Sequence, residues 1–218
     1  MPTITGAELI VRMLERQGIR IVAGIPGGAN LPLYDALGQS ETVRHVLARH
    51  EQGAGFIAQG MARATGRPAV FLATSGPGAT NALTALADAK LDSVPIVCIT
   101  GQVPRAMIGT DAFQEVDTYG MSIPLTKHNF LVRSAAHLLE IIPEAFRIAV
   151  SGRPGPVLVD VPKDVQCEAV SFERWPEPAA ADSPPDFAPA AVERAAGLIN
   201  GAERPVLYLG GGVVHAGA

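Results

Sequence analysis

The sequence predicts an α/β protein: a parallel sheet with helices on both faces, then a linker, then the first elements of a second α/β domain. Two observations carry the sheet. Short apolar runs alternate with helical patterns between residues 19 and 161, which is the order of a sheet covered on both sides. Apolar runs end in glycine turns, Pro26-Gly27-Gly28 and Ser75-Gly76-Pro77-Gly78, that lead into helices. A third observation sets the boundary. Residues 171–189 hold five prolines among Ala, Ser and acids, the composition of an extended linker. The predicted division is 1–170, a linker at 171–189, and 190–218.

Each element follows from local pattern. Thr5-Gly6-Ala7-Glu8 has capping-box spacing, and Leu9, Met13 and Leu14 continue at helical spacing until Gly18. Residues 19–23 read as a buried strand, the glycine turn follows, and 31–37 read as a helix. A second buried strand, 43–47, hands over through Arg49-His50-Glu51-Gln52-Gly53 to a helix at 53–64 that stops at Gly66. Residues 68–74 are a strand, 79–91 a helix and 94–100 a strand. Residues 101–122 then break the rhythm. A loop of that length is usually functional or disordered, and Met107, Ile108, Phe113 and Val116 are too apolar for disorder. Strand 127–132, helix 135–150 and strand 157–161 complete the first domain. Beyond the linker, 190–198 read as a helix and 205–209 as a strand running into Gly210-Gly211-Gly212. A lone strand cannot bury its faces, so a longer polypeptide is expected.

Composition narrows the function. With 218 residues, 48% of them hydrophobic, the chain can bury a full core. A net charge of −4 offers no basic patch, which argues against nucleic acid as a partner. Cys98 and Cys167 are too few and too far apart for a disulfide framework or a CxxC metal site, and are expected to be reduced thiols. No apolar stretch is long enough to span a membrane, and Met1-Pro2-Thr3-Ile4-Thr5 opens no signal peptide, so a cytoplasmic location is expected.

Glu51 is the carboxylate at a strand's carboxyl end, where open α/β sheets hold ligands. It could instead cap the helix it begins. The glycine turns could admit a ligand or only a tight bend, and none is a Walker A loop or a GxGxxG. Asp160 is expected to form a structural ion pair with Lys163 or Arg153. His50 and His128 are expected to be structural. Asp111, Glu115 and Asp117 lack calcium-loop spacing, and Ser75 does not sit in a GxSxG elbow.

Taken in order, several stretches resemble one family. They are Gly24-Ile-Pro-Gly-Gly28, Arg49-His-Glu-Gln-Gly53, Thr74-Ser-Gly-Pro-Gly-Ala-Thr-Asn81, Leu91-Asp-Ser-Val-Pro95, Thr100-Gly-Gln-Val-Pro104, Ile108-Gly-Thr-Asp-Ala-Phe-Gln-Glu115, Lys127-His-Asn129 and Ser151-Gly-Arg-Pro-Gly-Pro-Val157. This succession resembles the N-terminal part of the catalytic large subunit of acetolactate synthase (acetohydroxyacid synthase), a thiamine diphosphate-dependent family. The resemblance is dense over 4–166, thin through the linker, and returns at 204–212.

The resemblance implies a pyrimidine-binding domain at 1–170 and the start of an FAD-associated central domain after about residue 190. It implies that Glu51 hydrogen-bonds N1′ of the cofactor's aminopyrimidine, favouring the tautomer that deprotonates the thiazolium C2. Thr74, Pro77, Asn81 and Gln114 are implied cofactor contacts. Gly28, Ala29, Val103, Pro104, Phe113 and Lys163 are implied to line the approach to the reacting carbon, and Arg153 to contact FAD. Mg²⁺ and the diphosphate are implied to be held by a C-terminal domain beyond this chain, so no metal ligand is expected here. Pyruvate and 2-ketobutyrate are the implied substrates, with a homodimer and a small regulatory subunit as partners. The 218-residue chain alone is expected to be inactive. Glyoxylate carboligases resemble this pattern but have an apolar residue at the position of Glu51. The remaining alternatives are sulfoacetaldehyde acetyltransferase, FAD-free catabolic acetolactate synthase, or a non-catalytic dimerisation or docking module.

Overall fold

The computed structural model describes residues 3–183 and 186–216. They divide into two units, Met1–Asp182 and Ser183–Ala218.

The first unit is built on six parallel strands: β2 (Ile21–Gly24), β3 (Arg44–Leu47), β4 (Ala69–Ala73), β5 (Ile96–Gln102), β6 (His128–Leu131) and β7 (Val157–Pro162). Their order across the sheet is β3-β2-β4-β5-β7-β6. A separate pair, β1 (Thr3–Thr5) and β8 (Ala169–Ser171), is antiparallel. Helices α1 (Gly6–Arg16), α2 (Leu31–Gly38), α6 (Leu138–Val150) and α7 (Lys163–Cys167) share one face with Val70, Leu72, Val97, Ile99, Val157 and Val159. Helices α3 (Glu51–Thr65) and α4 (Pro77–Leu91) cover the other, over Ala69, Phe71, Ala73, Ile96, Cys98 and Leu158. Alternate residues of one strand thus enter opposite cores, as the two-residue side-chain period requires. The sequence expectation of a parallel sheet with helices on both faces holds.

The capping box forms as expected: Thr5 Oγ1 accepts from Glu8 N at 3.2 Å, and Glu8 accepts from Thr5 N at 2.7 Å. The irregular stretch expected over 101–122 is shorter: β5 runs on to Gln102 and the short α5 (Thr118–Ser122) takes up its end, leaving 103–117 as the long loop. Helices α3 and α4 approach closely, because a Cβ on Gly55 would lie 2.4 Å from that of Ala85.

Three further expectations are corrected. The strand before Glu51 is not buried. As β3 it forms the edge of the sheet, and Leu47 is 58% exposed. Residues 205–209 form no strand, and Tyr208 is fully exposed; a single extended segment without a paired neighbour leaves its backbone groups to water. The second unit contains α8 (Pro189–Asn200), which buries no residue, and α9 (Gly211–His215). Finally, the front half of the proline-rich stretch lies on the first unit. Phe172 is buried and meets Trp175 edge-on at 4.6 Å, the Arg16 guanidinium sits 5.7 Å from the Trp175 ring centre, and Asp182 pairs with Arg147 at 2.6 Å. Pro184 and Pro185 lie outside the described residues.

Candidate active site

Strand order reverses at β2. The chain leaves β2 for the edge strand β3 on one side, then returns to β4 on the other. The turns after β2 and β4 therefore diverge from adjacent strand ends, which opens a crevice at the carboxyl edge of the sheet. Both turns are the glycine turns of the sequence. Asn30, fully buried, shapes the first: its Oδ1 accepts from Gly27 N at 2.7 Å and its Nδ2 donates to Ile25 O at 3.4 Å. Thr74 joins the two turns, its Oγ1 accepting from Ala29 N at 3.3 Å. Gly27 has no room for a side chain, since a Cβ there would lie 2.6 Å from Thr74 Cβ, whereas Gly28 faces open space.

Glu51 enters this crevice from α3. The helix-cap question is answered by its neighbour: His50 is the N-cap, and its Nδ1 accepts from Gln52 N at 3.1 Å. Glu51 is the first helical residue, and its half-buried carboxyl is free to point elsewhere. Asn81, one turn into α4, donates to Glu51 Oε2 at 3.0 Å. Glu51 Oε1 makes no hydrogen bond among the described residues. It lies 3.4 Å from where a Cβ on Gly78 would stand, and that Cβ would be 2.6 Å from Thr74 Cγ2. Gly78 thus keeps a gap open between the carboxylate and Thr74, and Pro77 begins the same helix. Close by, burial and then the charge of Glu51 push the Tyr34 phenol up; among the described residues its buried hydroxyl has no partner.

Gln114 reaches the same place through its backbone. Gly76 has φ 54° and ψ −117°, a conformation closed to residues with a Cβ. A Cβ there would lie 2.6 Å from Gln114 O. The long loop is therefore seated directly on the Ser75-Gly76-Pro77-Gly78 turn. Ala29, buried, stands against the end of β5, where a Cβ on Gly101 would lie 2.5 Å from its carbonyl oxygen. Val103 is buried, Pro104 and Lys163 are half-buried, and Phe113 is 87% exposed. Arg105 ties the Pro104 turn to the start of α7 by donating from Nε to Asp164 Oδ2 at 2.6 Å.

The structure thus gathers Glu51, Thr74, Pro77, Gly78 and Asn81, with Gln114 against them. It does not bring Arg153 there. That residue precedes β7 and donates to Ser93 Oγ at 2.7 Å and to Leu91 O at 2.9 Å, at the opposite end of the sheet. The ion pair expected for Asp160 is absent among the described residues. Its carboxyl is 1% exposed and accepts from Thr100 Oγ1 at 2.7 Å and Gln102 Nε2 at 3.0 Å. Burial pushes it up to about 7 against those two hydrogen bonds, and the charge of Asp117 adds to the rise. His128 meets Phe130 edge-on at 4.5 Å. Sequence pattern singles out neither Asn30 nor Tyr34, and places Gln102 only within the Thr100–Pro104 stretch, with no role for its side chain. Each gains its role from a partner distant in the chain or from a turn that no spacing rule describes. Among the described residues no group of three or more His, Cys, Asp or Glu could hold a metal ion, and no helix is long and apolar enough to cross a membrane.

A carboxylate held beside a glycine gap at a switch point marks this as an α/β domain with a ligand site at its strand ends. Residues 4–121 match the family described as thiamine pyrophosphate enzyme, N-terminal TPP binding domain, and the chain belongs to that family. It is similar to the acetolactate synthase isozyme 1 large subunit of Escherichia coli K12, 64% identical over 214 residues covering 98% of this chain and 38% of the relative. It is also similar to an acetolactate synthase large subunit of Corynebacterium glutamicum, 56% identical over 220 residues, covering 99% of this chain and 35% of the relative. An acetolactate synthase of Mycobacterium bovis is 54% identical over 217 residues, again covering 99% and 35%. The chain therefore spans little more than a third of the length of these relatives. The donor set suits the pyrimidine end of thiamine diphosphate: one carboxylate oxygen is held by Asn81, and the other faces space that Gly78 leaves free.

Proposed function

We propose that this chain supplies the pyrimidine-binding half of the active site of an acetolactate synthase large subunit. That enzyme condenses pyruvate, after decarboxylation, with a second 2-keto acid, pyruvate or 2-ketobutyrate, in branched-chain amino acid biosynthesis. The observation that carries this is the Glu51 carboxyl, held by Asn81 and open towards Gly78, in a chain so similar to acetolactate synthases along its length.

Bound thiamine diphosphate would supply the nucleophilic carbon that adds to pyruvate and the electron sink for its decarboxylation, while the two-carbon unit transferred comes from pyruvate itself. The chain's own residues do the rest of the work on this side. Asn81 fixes one oxygen of Glu51, so the other is aimed across the gap to hydrogen-bond ring nitrogen N1′ and share its proton. Thr74, Pro77 and the Gln114 backbone wall the ring. Gly28, Ala29, Val103, Pro104, Phe113 and Lys163 line the approach of the keto acid. FAD and Mg²⁺ are further cofactors of the whole protein, with Arg153 the FAD contact in this chain and the Mg²⁺ ligands outside it. A homodimer, a small regulatory subunit and a cytoplasmic location complete the proposal, and the chain alone is inactive.

The test is Glu51→Gln in the full-length protein. Loss of a positioned proton partner should lower acetolactate formation by about 100-fold or more, with the melting temperature little changed. Turnover near that of the unsubstituted enzyme would overturn the assignment.

A further inference from the structure

Among the described residues the buried carboxyl of Asp160 has no counter-cation, and its one side-chain hydrogen-bond partner on the loop side is Gln102. Gln102 is itself 2% exposed, and all three of its polar contacts are specific. Its Oε1 accepts from Val103 N at 2.8 Å. Its Nε2 donates to Val116 O at 3.0 Å and to Asp160 Oδ2 at 3.0 Å. Val103 and Val116 are the two ends of the long loop. One side chain therefore holds both ends, and the loop between them carries Val103, Pro104, Phe113 and Gln114.

Asp160, together with Val103 N–H and Val116 O, sets how the amide sits. An amide can be turned over with little change of shape, which exchanges its donor and acceptor ends. Turned over here, Gln102 would set its oxygen against both Asp160 Oδ2 and Val116 O, and its NH₂ against Val103 N–H. Buried groups without partners are costly, so only one orientation survives. Thr100 Oγ1, donating to Asp160 Oδ1 at 2.7 Å, holds the carboxyl for this purpose. Thr100 and Asp160 lie on neighbouring strands, opposite each other in the β5–β7 register.

Packing beside the latch is incomplete, although Gln114 is seated on the Gly76 turn farther along the loop. A cavity of about 240 Å³ opens beside the latch, lined by Gln102, Ile108, Val116, Tyr119, Leu131 and Asp160, among others. The loop's near end is also tied by Arg105 to Asp164 and Glu168, but on the surface, where water and salt compete.

We propose that Gln102 is a positioning residue for the 2-keto acid site, latching both ends of the 103–116 loop, and that Asp160 acts through it by fixing the orientation of its amide. This rests on the function proposed above. The latch touches the walls of the keto acid approach and makes no hydrogen bond to Glu51, and Gln114 is seated separately on Gly76, so at saturating thiamine diphosphate its loss should act on substrate affinity rather than on turnover.

The experiment uses the full-length protein with four variants: Gln102→Met, near-isosteric and apolar; Gln102→Asn, too short to reach both ends; Asp160→Ala; and Asp160→Asn. Two readouts are taken, hydrogen exchange at the Val103 amide and steady-state kinetics with pyruvate. Gln102→Met, Gln102→Asn and Asp160→Ala should each speed Val103 exchange by about tenfold or more and raise KM by about tenfold, with kcat within about twofold. Asp160→Asn should restore both, because its oxygen can accept from Gln102 while its NH₂ donates to Thr100 Oγ1. If Gln102→Met does not fold, Gln102→Asn carries the same comparison. Unchanged exchange and KM in the Gln102 variants would overturn the proposal. So would failure of Asp160→Asn to do better than Asp160→Ala, or a fall in kcat with KM unmoved. Absence of acetolactate formation by the unsubstituted protein would overturn the proposed function instead, and the exchange readout would still decide the latch.

Discussion

Asp160 yields a quantitative expectation about pH. Its carboxyl lies in β7 with 1% exposure and, among the described residues, no cation near enough to pair. Burial pushes it from the ordinary 3.8 to about 7, and Thr100 and Gln102 offset only part of that rise. The folded protein therefore holds this proton across the range from about pH 4 to 7, where the unfolded chain has released it; because Oδ2 accepts from Gln102, the proton sits on Oδ1 and is donated to the Thr100 hydroxyl, which turns to accept it. Stability from this group is complete below about pH 4, declines as pH rises, and reaches its floor above about pH 7. At about 1.36 kcal/mol per pH unit the whole effect is about 4 kcal/mol, of which about 3 kcal/mol falls between pH 5 and pH 8. The Asp160→Asn variant cannot ionise at this position and keeps both hydrogen-bond partners. Relative to the unsubstituted protein it should therefore gain about 3 kcal/mol of stability on moving from pH 5 to pH 8. Urea unfolding of both proteins, followed by circular dichroism at pH 5, 6, 7 and 8, measures the difference directly. A difference independent of pH, or one that favours the Asp160→Asn variant more at pH 5 than at pH 8, would refute the reasoning.

Two further outcomes follow from packing. Gly78→Ala places a Cβ 2.6 Å from Thr74 Cγ2 and into the gap before Glu51; it should cost about 1–3 kcal/mol in thermal unfolding and weaken thiamine diphosphate binding in a fluorescence titration of the full-length protein. Phe172→Ala removes a buried ring packed on Trp175 and should cost about 3 kcal/mol. It should also make the 172–182 segment an early site of limited proteolysis, whereas unchanged cleavage there would show that the segment is not held by this ring.

What the sequence revealed and what it hid divide along one physical line. Patterns that need only near neighbours were legible. The Thr5–Glu8 capping box, the two-residue alternation of Val70 and Leu72 against Phe71, and the glycine stop at Gly66 all depend on residues within a turn or two of chain. Strand order depends on none of these. Val43, Val46 and Leu47 are apolar enough for a central strand, yet β3 became an edge because the chain returns to the far side of β2. That same return creates the crevice, so the error about the strand and the location of the site have one cause. Asp160 follows the same rule: Lys163 and Arg153 are close in sequence, but its partners come from β5, across the sheet. The aromatic side chains at 172 and 175 sat inside a composition that otherwise signals a linker, and composition does not say what a ring will find to pack on. The candidate site shows the same limit in reverse. Glu51 looked as though it could be a helix cap because its position allowed it. Only the geometry of His50, which accepts the Gln52 amide itself, leaves the Glu51 carboxyl unclaimed by its own helix and available to Asn81 and the open gap.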